Sequence, residues 1–193
     1  MVVDHLSRLL LCPSEVAADN LRAEGISRGV HVVGDVMADA LQGAVERGRN
    51  HSGILERLGI VEGGYLLATV HRAENTDSPD RLRRILAAFM DIDEPIVFPM
   101  HPRTRGRLAE LGEALEQELV ESGVQLIEPV GYVDMARLEA AARLILTDSG
   151  GVQKEAYWLG VPCITLRDET EWVETVEAGW NKLVGADTVL IVQ

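Results

Sequence analysis

Residues 144–155 read Leu-Ile-Leu-Thr-Asp-Ser-Gly-Gly-Val-Gln-Lys-Glu, an apolar strand running into a Gly-Gly turn and then a helix. The first N–H groups of a helix lack intrahelical acceptors, and the helix dipole gathers partial positive charge around them. Ser149, Gly150 and Gly151 would therefore offer a hydroxyl and bare amides to an anion, glycine permitting close approach. A nucleotide diphosphate is a common occupant of such a terminus. Glu155 lies five residues past Gly150, about one and a half turns into the helix. An ionised carboxylate only accepts hydrogen bonds, so Glu155 suits ribose hydroxyls; without a ligand it is a solvated helix residue.

Two other turns combine a histidine with arginine: Val70-His71-Arg72-Ala73-Glu74-Asn75 and Pro99-Met100-His101-Pro102-Arg103. Near a diphosphate a histidine donates a hydrogen bond to a departing oxygen, with charge when protonated. His71 could instead cap the next turn, and His101, next to Pro102, could equally be a turn residue. Arg103, Arg105 and Arg107 read as a solvated basic helix face, and Asp148 as a structural acceptor for turn amides.

These turns depend on the elements around them. Strands are expected at residues 9–12, 30–33, 65–70, 96–99, 124–127, 144–147, 163–166 and 182–184. Helices are expected at 15–24, 35–47, 54–58, 79–91, 102–111, 133–142 and 152–159, with 113–121 either continuing the previous helix or starting another. Residues 187–193 begin a helix yet end on an apolar run. Alternation of this kind predicts an α/β fold with a doubly wound parallel sheet, every βα turn opening at the strands' carboxyl ends. The three turns should gather on one rim. A boundary is expected near Gly34, and both ends of the chain look cut from something larger.

The net charge of −13 argues against nucleic-acid binding, which needs a basic face. No run of 18 apolar residues or signal peptide is present in the sequence, so no membrane association is expected. Cys12 and Cys163 lie in apolar strands and read as buried thiols of a reducing compartment. No metal site is expected.

The motifs Asp4-His5-Leu6-Ser7, Val33-Gly34-Asp35, Thr69-Val70-His71-Arg72-Ala73-Glu74-Asn75, Pro99-Met100-His101-Pro102, Gly131-Tyr132, the stretch 146–155 and the stretch 167–172 together resemble the non-hydrolysing UDP-N-acetylglucosamine 2-epimerases. The resemblance covers almost the whole chain. It implies the Rossmann-like C-terminal domain of a GT-B (UDP-glycosyltransferase/glycogen phosphorylase-like) fold. Residues 1–33 would be the last βα unit of a truncated N-terminal Rossmann-like domain, and 34–193 the UDP-binding C-terminal domain with its last helix incomplete.

By that resemblance His71 is the active-site histidine, and Ser149, Gly150, Gly151 and Glu155 hold phosphate and ribose. Gly131 and Met135 border the uracil, and Arg167 lies in the loop beside the nucleotide. Arg72 and His101 match positions that, in bacterial relatives, help bind a second, regulatory UDP-sugar. Three positions depart from the pattern. Val130 stands where some relatives have Gln, Met135 where Phe is common, and Trp172 where some have Arg near the phosphate. Trp158, Trp172 and Trp180 read as packing residues, and His5 has no catalytic task.

The implied reaction interconverts UDP-GlcNAc and UDP-ManNAc by anti elimination of UDP and re-addition with inversion at C2. It serves polysaccharide biosynthesis and needs neither a metal nor a diffusible cofactor. The acidic groups that handle protons at the sugar lie, in the family, in the half preceding this chain. A homodimer in the cytoplasm is implied for the full-length family. The rival readings are a catalytically inactive UDP-binding module and a GT-B glycosyltransferase; the His-Arg-x-Glu-Asn turn argues against the latter.

Overall fold

The structure, a computed structural model, describes residues 2–193. The chain divides into two compact units, one ending at Gly43 and one running from Ala44 to Gln193. The boundary falls within the helix Val36–His51.

In the first unit, β1 (Leu10–Cys12) and β2 (Val30–Val32) pair in parallel, Leu10 opposite Val30. The helix Glu15–Ala23 connects them, and the Ser14 hydroxyl accepts the Ala17 N–H at 3.2 Å to start it. Leu10 and Cys12 are buried while Leu11 is exposed, the period of two expected of a strand with one covered face.

The second unit is built on β3 (Leu66–Thr69), β4 (Ile96–Pro99), β5 (Val124–Ile127), β6 (Leu144–Thr147), β7 (Cys163–Thr165) and β8 (Asn181–Leu183). They form one wholly parallel sheet in the order β5-β4-β3-β6-β7-β8. The chain steps outward from β3 to β5, returns to lay β6 beside β3, and steps outward the other way to β8. That reversal opens a crevice between the carboxyl ends of β3 and β6, where open α/β sheets bind ligands.

Helices cover both faces. On one, Pro79–Asp91 buries Leu82, Ile85, Leu86 and Phe89, a helical stripe, and Phe89 meets Phe98 of β4 edge-on at 5.7 Å. On the other, Leu138 and Ala156 pack with Leu67, Val97 and Ile145. Tyr65, just before β3, donates its hydroxyl to the Leu138 carbonyl at 2.6 Å, pinning the helix Tyr132–Ala141 to the sheet.

The doubly wound expectation holds, and every expected strand is found within two residues. Gly112, at φ 117°, separates Pro102–Leu111 from Glu113–Glu121, so these are two helices. The helix expected at 35–47 runs on to His51, where Arg49 and His51 complement the negative end of its dipole. Single-turn helices at Val2–Leu6, Ala73–Thr76 and Val173–Glu177 had no sequence expectation, being too short to carry a helical period. The apolar run near the end is the helix Thr188–Val192. Asp187 caps it by accepting from Val189 N (3.0 Å) and Leu190 N (3.1 Å), and Ile191 is buried in the core. Cys12 and Cys163 are buried free thiols, and burial pushes the Cys163 thiol up to about 12. Among the described residues, no helix is long and apolar enough to cross a membrane.

Candidate functional site

Asp148, one residue past β6, is fully buried, and its carboxylate organises the turn that follows the neighbouring strand β3. It accepts the His71 N–H at 3.0 Å on each oxygen, the Arg72 N–H at 2.9 Å and Asn75 Nδ2 at 3.1 Å. The structural role expected of Asp148 is therefore observed, and the amides it serves belong to the His71 turn. Below it, Thr69 and Thr147 hydroxyls meet at 2.5 Å across β3 and β6, and Thr147 Oγ1 accepts the Ser149 N–H at 2.9 Å. Asn75 continues the brace. Its Nδ2 donates to the Leu166 carbonyl at 2.8 Å and its Oδ1 accepts from Arg81 Nε at 3.1 Å.

His71 Nδ1 lies 3.4 Å from Asp148 Oδ1, leaving Nε2 as the nitrogen available to a ligand. Burial lowers the His71 pKa; the Asp148 charge opposes this, while His101, Arg72 and Arg103 reinforce it. At neutral pH the ring is therefore uncharged. The His101 ring sits 5.4 Å away, tilted by 30°. His101 Nδ1 also accepts the Arg103 N–H at 3.1 Å, so this residue both caps its helix and faces His71.

The helix Gly150–Leu159 starts at the other side of the crevice. Ser149 is its N-cap, accepting the Val152 N–H at 3.4 Å, and the Gly150 and Gly151 amides precede any helical acceptor. A side chain at Gly150 would press on the Trp172 indole and touch its other neighbours. A Cβ there would lie 3.2 Å from Trp172 Nε1, 3.5 Å from Arg72 Nη2 and 3.6 Å from Glu171 Oε2. The helix start, a guanidinium, an indole N–H and the Glu171 carboxylate, itself held by Arg167, thus converge on one point, and that indole nitrogen is buried with no hydrogen-bond partner. Lys154 places its ammonium over the Trp172 ring at 4.2 Å and the Trp158 ring at 4.8 Å. A buried donor without an acceptor, beside cations and bare amides, is electrostatically prepared for an anion.

A family model described as UDP-N-acetylglucosamine 2-epimerase matches residues 1–193. The chain belongs to this family. It is 50% identical to a UDP-N-acetylglucosamine 2-epimerase homolog of Methanococcus maripaludis, across 100% of this chain and 54% of that protein. It is 46% identical to the UDP-2,3-diacetamido-2,3-dideoxy-D-glucuronate 2-epimerase of Pseudomonas aeruginosa, across 100% of this chain and 53% of that protein. Among solved structures, the Methanocaldococcus jannaschii UDP-GlcNAc 2-epimerase in complex with UDP-GlcNAc and UDP superposes with a TM-score of 0.88. Identity there is 43%, over 98% of this chain and 53% of that one. The chain spans about half the length of the relatives it matches.

In this epimerase-family chain a cavity of about 190 Å³ opens at the sheet reversal, with His71, His101, Pro99, Val130, Met135 and Val152 among its lining. Met135 is thus brought to the same crevice as His71. Gly131 caps the helix carrying Met135, its carbonyl accepting the Met135 N–H at 2.9 Å. Arg72, matched in sequence to a regulatory site, lies beside Gly150, so it adjoins the helix-start anion position. Arg167 is turned onto Glu171, with its two terminal nitrogens 2.9 and 3.2 Å from the carboxylate. That pairing holds the Glu171 carboxyl below the usual carboxylate range. The basic face at Arg103, Arg105 and Arg107 is paired as well, with Asp77 and Glu128.

Glu155 accepts the Tyr132 hydroxyl at 2.9 Å, and burial raises its pKa. Sequence reasoning did not single out Asn75, Glu139 or the Trp172 N–H. Asn75 stood inside a quoted motif, yet its burial depends on contacts 73 and 91 residues away. The loop carrying Arg167 and Trp172 is fastened by Thr170 Oγ1 to Gln153 Oε1 at 2.6 Å, a contact equally silent in sequence. Among the described residues, no group of three or more His, Cys, Asp or Glu could hold a metal ion.

Proposed function

We propose that this chain forms the nucleotide-holding half of a UDP-N-acetylglucosamine 2-epimerase that interconverts UDP-GlcNAc and UDP-ManNAc. The carrying observation is the meeting of the Gly150 helix start, the Arg72 guanidinium and the unpartnered Trp172 N–H beside His71. In this reading the diphosphate sits on the Gly150 and Gly151 amides and the Ser149 hydroxyl. Arg72 and Trp172 supply further donors, Glu155 accepts from the ribose, and the base lies along Gly131 and Met135. Elimination breaks the bond between the sugar's anomeric carbon and the diphosphate oxygen, and charge collects on that oxygen. Donors fixed in advance stabilise such charge without having to reorganise. His71, once protonated, donates from Nε2 to the departing oxygen while Asp148 steadies the imidazolium through Nδ1.

Proton removal at C2 belongs to groups outside this chain. The complete protein works as a cytoplasmic homodimer in this reading, which light scattering checks. Incubating the complete protein with UDP-GlcNAc in heavy water tests the reaction. Deuterium at C2 with formation of the manno epimer is expected; unchanged sugar would leave only a binding module. The Pseudomonas aeruginosa relative, at 46% identity, favours a second reading with a diacetamido glucuronate as the sugar. Turnover of the two UDP-sugars measured side by side decides between them.

A further inference from the structure

Glu139 sits on the helix Tyr132–Ala141, is 1% exposed, and neither of its carboxyl oxygens accepts from any N–H or hydroxyl group. A carboxylate without donors in such a place is costly. The carboxyl whose charge acts on it is that of Glu155, on the helix Gly150–Leu159 packed against its own. Two carboxyl groups brought together can hydrogen-bond only if one of them carries a proton. The surroundings decide which one. Glu155 has the Tyr132 hydroxyl at 2.9 Å and the charge of Lys154 nearby, both favouring its ionised form. Glu139 has neither. The other titratable groups that Glu139 acts on are Tyr65, which precedes β3, Cys163 on β7 and Tyr132 on its own helix, all three of which burial keeps neutral. The Arg137 charge acts on Tyr65 and is bound to Glu62 at 3.1 Å.

We propose that Glu139 is a positioning residue that carries a proton and donates it to Glu155. The bond would hold Glu155 ionised and oriented to accept the ribose hydroxyls of a nucleoside diphosphate. This rests on the reading of Glu155 given above. An O–H···O⁻ bond is short and strong, so it fixes the accepting carboxylate better than a neutral partner would. Loss of the proton would leave two adjacent negative charges, and Glu155 would turn away from its ribose-facing position. Burial raises the pKa of both groups in the same sense.

UDP affinity of the 193-residue chain, measured by calorimetry as a function of pH for the parent, Glu139→Gln and Glu139→Leu, tests this. Gln keeps a donor and cannot titrate, whereas Leu offers neither. Because UDP and His71 titrate identically in all three proteins, the parent-to-Gln affinity ratio isolates the shared proton. That ratio should fall as pH rises, approaching about one decade per pH unit once the proton is lost. Gln should restore most of the affinity that Leu removes. A ratio independent of pH, or Leu binding as well as Gln, would overturn the proposal. Infrared spectroscopy of the unliganded parent gives a second readout. A protonated carboxyl band at neutral pH that vanishes in Glu139→Gln is expected, and its absence would overturn the shared proton. If UDP does not bind at all, the site reading fails, and the infrared band still decides the proton.

Discussion

At the scale of single residues, Gly150 separates binding from folding. It opens a helix without a positive φ, so alanine there gains up to about 1 kcal/mol of helix propensity, which offsets the tight contact its methyl makes. The added methyl would meet Trp172 Nε1 at 3.2 Å, making the indole give by a few tenths of an ångström, and would touch Arg72 Nη2 at 3.5 Å in the space where both converge on the anion position. Gly150→Ala should therefore keep or raise the melting temperature while weakening UDP at least roughly tenfold, the equivalent of about one lost charge-assisted hydrogen bond. Calorimetry and thermal melts on one preparation check both halves.

His71 makes a complementary prediction. Its pKa is lowered in the free protein, chiefly by burial, so the neutral ring persists to lower pH than in a free imidazole. A diphosphate bound beside it favours the cation and raises that pKa. Between the free and bound values, binding must take up a proton, and affinity must rise as pH falls through that window. Calorimetry in buffers of different ionisation enthalpy, run across that window, would register the uptake, and His71→Ala should abolish it. Uptake of equal size in the variant would remove His71 from the ligand.

At the scale of elements, the site depends on β3 and β6 ending together, and Asp148 is the tie. Its carboxylate serves two backbone amides and Asn75 from a fully buried position. Replacing it with alanine would orphan three donors at about 1–3 kcal/mol each, with partial relief by water. Asp148→Ala should lose on the order of 3 kcal/mol or more in urea unfolding, together with UDP affinity. An isolated loss of affinity would mean the brace is not structural.

The same elements explain what the sequence disclosed. Strands β3 to β8 and the long helices were legible because burial imposes a period on them: Leu82, Ile85, Leu86 and Phe89 mark one helix face without reference to any neighbour. The Gly-Gly turn was legible because so few residue types can open a helix onto an anion. Ala73–Thr76 was not, since four residues carry no period and what holds the turn is a carboxylate over 70 residues further on. Glu139, within Arg-Leu-Glu-Ala-Ala, looks like any solvent-facing acid. Only the packing of Tyr132–Ala141 against Gly150–Leu159 reveals that it is buried against Glu155. Trp172 read as packing for the same reason: the partner its N–H lacks is visible only in three dimensions.

At the scale of the molecule, a net charge of −13 must coexist with an anionic ligand, so attraction has to be local. Arg72 and the Gly150 helix start supply it on the sheet's rim, with Lys154 stacked on the adjoining Trp172 ring. The second unit carries that point on its own continuous sheet and its own two-sided core, so nucleotide binding should not require the rest of the relatives' length. Catalysis should, because the chain covers only about half of those relatives and, in the proposed reading, the groups that move the C2 proton lie outside it. The 193-residue chain should therefore bind UDP without turning over UDP-GlcNAc. At one hundred times its dissociation constant, UDP would stabilise the folded state by about 2.7 kcal/mol. For a domain of this size that is a rise in melting temperature of roughly 5–11 °C. Gly150→Ala should need proportionately more UDP for the same rise. A UDP-dependent shift accompanied by deuterium exchange at C2 would place the proton-handling groups within these 193 residues. A missing shift would mean that the rim needs the other half before it can hold a nucleotide.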